Sequence, residues 1–234
     1  MSRYFSHLAL AVVAMPMMLA GAVAVADDDR GRVYSVTVTN ITNAQQFTPL
    51  LVATHRKGVK VFALGSAASA QLATLAEEGD TAPLTALLSS DPKVNEVTTT
   101  GPLLDPGASR TVYIAARRNF DHISLAAMLI PTNDGFIAIN GVEAPDDHRT
   151  LTIYSPAYDA GSEVNDELCA SIPGPSFVEC GGPGGGGMPV GGEEGYVHIH
   201  RGFHGVGDFN AAARDWRNPV AQIVIRRVGK GLGR

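Results

Sequence analysis

The stretch "VYSVTVTN" (33–40) sets Tyr34, Val36 and Val38 against Ser35, Thr37 and Thr39, an alternation with a period of two. Successive side chains of a strand point to opposite faces, so this pattern predicts a strand with one buried and one wet face. Short runs rich in β-branched residues recur at "LLVAT" (50–54), "VKVFAL" (59–64), "RTVYIAA" (110–116), "ISLAAMLI" (123–130), "GFIAIN" (135–140), "RTLTIY" (149–154), "YVHIH" (196–200) and "AQIVIRRV" (221–228). Gly, Pro, Asn and Asp punctuate the intervals. Nine candidate strands spaced in this way predict an all-β chain, an antiparallel β-sandwich.

One helical excursion interrupts the strands. "SAASAQLATLAEEGD" spaces Ala68, Leu72, Leu75 and Ala76 along one face and stops at Gly79. "APLTALLSS" follows Thr81 as an N-cap, with Pro83 in its first turn. Both helices are expected to cover an open end or edge of the sandwich.

At the N-terminus Arg3 precedes an apolar run from Leu8 to Val25 that ends in Ala24-Val25-Ala26, after which Asp27, Asp28 and Asp29 turn the chain polar. This reads as a signal peptide over residues 1–26, cut after Ala26, and implies a secreted or periplasmic protein with 27–234 as one domain. No other segment reaches the ~18 uninterrupted apolar residues of a membrane span. With 18 basic and 23 acidic residues, the chain has no excess of positive charge for nucleic-acid phosphates. The only cysteines, Cys169 and Cys180, lie in the region richest in Gly and Pro and read as one loop-closing disulfide, contributing about 2–3 kcal/mol. The Gly-rich stretch 181–195 is expected to be mobile, and it lacks the strand-to-helix setting of a phosphate-cradling loop. The basic tail 229–234, the end of "RRVGKGLGR", is expected to fray.

Chemistry concentrates in "SPAYDAGSEVNDE" (155–167), where Asp159, Glu163, Asp166 and Glu167 share a segment with Pro156 and Gly161. Converging carboxylates repel, and burying one uncompensated charge is costly, so such a cluster implies either a counter-ion or a solvated loop. Calcium suits the first reading, because it takes six to eight oxygens from carboxylates, backbone carbonyls and water in flexible geometry. "LIPTNDGF" (129–136) adds Asp134 at a strand end, where it is also compatible with a simple N-D-G hairpin turn.

A second cluster competes. In "YVHIHRGFHGVGD" (196–208), His198 and His200 are two apart, hence on one face of a strand, and His204 follows beyond a Gly turn. Three imidazoles in this spacing suit zinc or copper, or three surface histidines, with Val197 and Ile199 facing the core. His55 is placed to approach the same cluster.

Several stretches, "YSVTVTNIT" (34–42), "FTPLLVATH" (47–55), "LATLAEEGD" (72–80), "SLAAMLIPTNDGF" (124–136), "YDAGSEVNDE" (158–167), "GPGGGGMPVGGEEGYVHIHRGFHGVGDF" (182–209) and "DWRNPVAQIVI" (215–225), together resemble the spondin N-terminal domain family. That family occurs in extracellular-matrix proteins such as F-spondin and mindin and in many secreted bacterial proteins. The resemblance implies a sandwich similar to calcium-dependent membrane-binding modules, with one calcium ion held by Asp134, Asp159 and Glu163. At the last position animal members commonly have Asp; the longer Glu163 still chelates. Asp166 and Glu167 are then outer-shell or solvated groups.

Enzymatic readings find little support. G-x-S-x-G and H-E-x-x-H are missing, and no cysteine is left to act as a nucleophile. Asp134 and Asp159 could form a glycosidase pair, but Trp216 is the only tryptophan and fits a core or capping role better than a sugar platform. The expectation is a calcium-binding recognition or adhesion module without catalysis, binding glycans, acidic lipids or surface proteins. The alternative is a zinc or copper protein, or a metalloenzyme, using His198, His200 and His204.

Overall fold

The computed structural model describes residues 31–147, 149–187 and 191–230. The expected signal segment, residues 188–190 of the Gly-rich stretch and residues 231–234 of the tail lie outside the described residues.

In chain order the elements are β1 (Arg32–Asn40), β2 (Gln46–Phe47), β3 (Leu51–His55), α1 (Ala70–Glu78), α2 (Ala82–Ser90), β4 (Val94–Thr99), β5 (Ser109–Ala116), β6 (His122–Ile130), β7 (Gly135–Glu143), β8 (Thr150–Ser155), β9 (Ala157–Asp159), β10 (Ser176–Phe177), β11 (Gly182–Pro183), β12 (His198–Ile199), α3 (Ala211–Arg214) and β13 (Ala221–Lys230). One antiparallel sheet runs β5-β1-β13-β8. The other runs β12-β9-β7-β6-β3-β4, with β2 beside the end of β6. The predicted all-β sandwich is therefore the architecture of the chain.

β1 behaves as its alternation requires. Tyr34, Val36 and Val38 are fully buried, while Thr37 and Thr39 stay on the wetter face. There they hydrogen-bond across the ladder to Thr111 at 2.8 Å and Ser109 at 2.7 Å. The core between the sheets joins Tyr34, Val36, Ile223 and Ile225 of the first sheet to Leu125, Ala127 and Ile137 of the second. Every residue of β6 is buried, because this sheet is covered on both faces. Its outer face carries Ala53, Ala126, Phe136 and Ala138, packed under Leu72, Leu75 and Ala76 of α1 and Leu84 and Leu88 of α2.

That packing corrects the expected role of the helices: they cover a sheet face and do not plug an end. α1 begins where the Ser69 hydroxyl accepts from Leu72 N at 3.2 Å, and it stops at left-handed Gly79, whose N–H donates to Leu75 O. α2 is not capped by the Thr81 side chain; Asp80 Oδ1 accepts from Ala82 N instead.

Two strand expectations also change. "VKVFAL" is no strand; Val59 and Val61 anchor the excursion in the outer core, and Val61 N donates to Asn140 Oδ1 at 2.8 Å. Of the basic tail, residues 229 and 230 continue β13, with Arg32 opposite Lys230. Cys169 and Cys180 are disulfide-bonded. Beside them Gly185 N donates to Cys169 O and Gly187 N to Ala170 O, both at 2.8 Å, so this part of the Gly-rich stretch is hydrogen-bonded to the bridged loop.

Candidate metal centre

β6 and β7 are joined through Thr132, Asn133 and Asp134, all essentially buried. An ordinary hairpin tip faces water, so this turn is more than a connection. Thr132 Oγ1 accepts from Gly135 N at 3.0 Å and donates to Leu129 O. Gly135 is needed for packing: a Cβ there would lie 2.6 Å from Thr132 Oγ1 and 3.1 Å from His200 Cδ2. β7 pairs with β9 so that Gly135 faces Asp159, which brings the two loops together.

Asp134 Oδ2 accepts from Ser162 N at 2.7 Å and Glu163 N at 3.0 Å. Its Oδ1 is buried and has no partner, and Glu163 Oε2 is in the same state. Asp159 Oδ1 accepts from Gly161 N at 2.8 Å and Oδ2 from Asn165 Nδ2 at 2.9 Å. Burial, and then the neighbouring Asp159 charge, raises the Asp134 carboxyl to about 7. Burial, then Glu77, Asp134, Asp166 and Glu78, raises Glu163 to about 8. Glu77 and Glu78 sit at the C-terminal, partially negative end of α1, which has no basic residue in its last turn. The donor set therefore consists of desolvated carboxylate oxygens in a strongly negative field, the environment a hard divalent cation neutralises. The set is not closed, however: Asp134, Asp159 and Glu163 do not bring one oxygen each within 4.8 Å of one another.

Glu167 is buried and Asp166 half-buried. Asp166 accepts from Asn133 Nδ2, on the residue before Asp134, at 3.0 Å and from Ser171 Oγ at 2.6 Å. Glu167 receives the N–H groups of His204, Gly205 and Val206. It thus latches the acidic loop to the segment after β12.

His204 parts from the other two histidines. β12 pairs with β9 so that His198 faces Asp159. His198 Nε2 lies 3.5 Å from Asp159 Oδ1, and His200 Nε2 lies 3.9 Å from Asp159 Oδ2. The expected shared face is present, but of the two flanking residues only Val197 is buried; Ile199 is exposed. His204 turns to Glu167, with 3.7 Å between Nδ1 and Oε1. Among the described residues, the one group of three or more with metal-ligand spacing is Asp159, Glu194 and His198. Glu194 was missed because it sits in the Gly-rich stretch, and its only signal is its place four residues before His198. It is positioned by a close approach of two loops: Gly195 N donates to Gly161 O at 2.8 Å, and a Cβ on Gly161 would lie 2.3 Å from Tyr196 O.

Burial lowers the proton affinity of His200, to about 4. Burial also opposes protonation of His198, but the Ile199 carbonyl and the Asp159 and Glu194 charges outweigh it and raise the ring. His55 lies at the other end of β6, opposite His122 and hydrogen-bonded to Ser124 Oγ at 2.8 Å, away from this cluster. Trp216 is buried against His200 and Phe203, in the capping role. Beside it opens a cleft that Arg201, His204 and Arg217 also line.

A family model described as Spondin_N matches residues 38–164. The matched span holds Asp134, Asp159 and Glu163 and ends before Glu194 and His198. No curated protein matches the chain.

Proposed function

The chain belongs to the spondin N-terminal domain family, and from that premise we propose that it is a calcium-dependent recognition module without catalytic activity. Family membership suggests an extracellular recognition or adhesion-type module, and together with the disulfide it suggests an extracellular or secreted protein. No helix among the described residues is long and apolar enough to cross a membrane.

The observation that carries the calcium reading is the pair of buried, unpartnered oxygens, Asp134 Oδ1 and Glu163 Oε2. Leaving either ionised and alone is unfavourable by about 1–3 kcal/mol or more per group. Asp134, Asp159 and Glu163 would hold the ion, with loop carbonyls and water completing its shell. The ion supplies positive charge that draws two acidic loops together and can accept an anionic group of a partner. The adjoining cleft, lined by Arg201, His204 and the Arg217–Asp215 ion pair, suits an anionic ligand such as an acidic glycan. Acidic lipids and surface proteins are the other partner classes this reading admits.

The experiment is retention of the purified chain on immobilised acidic glycan, and on vesicles of phosphatidylserine with phosphatidylcholine, in calcium and then in chelator. Calcium-dependent retention on either, lost in Asp134→Asn, supports the reading. Equal retention in calcium and chelator, or none on either surface together with no calcium effect on melting, removes it.

A further inference from the structure

His198 offers a donor that calcium does not prefer. Its Nδ1 lies 3.0 Å from the carbonyl oxygen of Ile199. A carbonyl only accepts, so Nδ1 carries a proton, and in the neutral ring Nε2 keeps its lone pair. That nitrogen is buried without a hydrogen-bond partner, and it faces Asp159 Oδ1 at 3.5 Å and Glu194 Oε2 at 3.8 Å. A lone pair directed at two carboxylates is repulsive unless a positive centre lies between them.

The spacing decides which kind of centre fits. A charge-assisted N–H···O bond closes to about 2.7–2.9 Å, shorter than either separation. Zinc holds imidazole nitrogen at about 2.0–2.1 Å and carboxylate oxygen at about 2.0–2.2 Å, so ligands of one ion stand apart from each other by more than a hydrogen bond. The observed 3.5 and 3.8 Å correspond to ligand–ion–ligand angles of about 115° and 133°, the first close to tetrahedral and the second wider. We propose that Asp159, Glu194 and His198 form a second metal site, a nitrogen–oxygen site for zinc, sharing only Asp159 with the calcium loops.

Neighbouring groups are arranged to support this site. The Ile199 carbonyl fixes the His198 tautomer, the usual outer contact of a metal-bound imidazole. His200 Nδ1 accepts from Gly202 N at 3.0 Å, so its Nε2 bears the proton; it lies 3.9 Å from Asp159 Oδ2. With its Nδ1 lone pair taken by Gly202 N–H and its Nε2 protonated, His200 does not ligate. Three protein ligands leave a fourth position for water or an anionic ligand atom. The ion would also tie the end of the Gly-rich stretch, through Glu194, onto β9. Glu194 and His198 lie outside the span matched by the family model, and the site does not rest on the calcium reading.

The test uses the chain free of affinity histidines and stripped with chelator. Zinc chloride is titrated by calorimetry in buffer containing calcium, and cobalt(II) is added separately for its visible spectrum. The expected result is one zinc per chain, with affinity reduced about 100-fold or more in His198→Ala and about 10-fold or more in Glu194→Gln. Glu193→Gln should bind as the native chain does. Cobalt should give a tetrahedral absorption band that His198→Ala lacks. Absence of saturable zinc binding, or native-like binding by a folded Glu194→Gln together with native-like binding or misfolding of His198→Ala, overturns the proposal. Melting of His198→Ala with and without calcium is read in parallel. A retained calcium shift with no zinc binding in the native chain refutes this site alone, and zinc binding without a calcium shift refutes only the other reading.

Discussion

Replacing Asp134 by Asn should reverse its effect on stability according to whether calcium is present. Asn keeps an acceptor for the N–H groups of Ser162 and Glu163 and removes the charge. In chelator the native carboxyl has its affinity for protons raised from 3.8 to about 7. The native state then binds the proton more tightly than the unfolded chain, so metal-free stability falls as pH rises from about 4 through about 7 and levels off above. The full displacement corresponds to about 4 kcal/mol, or a melting difference on the order of 8–16 °C for a chain of this size, as an upper figure because loop relaxation and Asp159 share it. Melting followed by circular dichroism at pH 5 and pH 8, in chelator and in millimolar calcium, reads all four corners. At pH 8 in chelator Asp134→Asn should be the more stable protein, and at pH 5 the gap should shrink. In calcium at pH 8 the native chain should gain and the variant should gain much less. A variant no more stable than native in chelator at pH 8 would refute the buried-charge argument, and a variant with the full calcium shift would remove Asp134 from the ligand set.

Three further outcomes follow from the same geometry. Glu167→Ala leaves the N–H groups of His204, Gly205 and Val206 without their shared acceptor and should lower stability by about 2–4 kcal/mol in urea titration; an unchanged midpoint would contradict the latch. Gly161→Ala places a Cβ 2.3 Å from Tyr196 O at a φ of +64°, so it should cost about 1–3 kcal/mol and weaken zinc binding by displacing Glu194. Reduction of Cys169–Cys180 should lower stability by about 2–3 kcal/mol, measured with and without reductant.

What could be read from the chain depended on how many faces of an element are buried. β1 has one buried face, and its alternation shows it; "ISLAAMLI" loses alternation because β6 lies between the sandwich core and the helices. β4, "VNEVTT", escaped notice because it is a polar edge strand with no fully buried residue. "VKVFAL" misled because alternate anchoring of Val59 and Val61 mimics a strand without a ladder. Asp134 and Asp159 were legible as strand-end acids, whereas their meeting depends on the β7–β9 register. Glu194 and His198 are brought together by a two-residue strand and a glycine contact, neither of which has a periodic signature. That is why the histidine spacing suggested three imidazoles where the fold assembles one imidazole and two carboxylates.

The central claim, that buried Asp134, Asp159 and Glu163 close around a divalent cation, is tested most directly by a high-resolution crystal structure grown in calcium with anomalous data. An anomalous peak within about 2.3–2.6 Å of oxygens from all three residues is the predicted result. Ordered loops with the three carboxyls in place and no peak between them would contradict it.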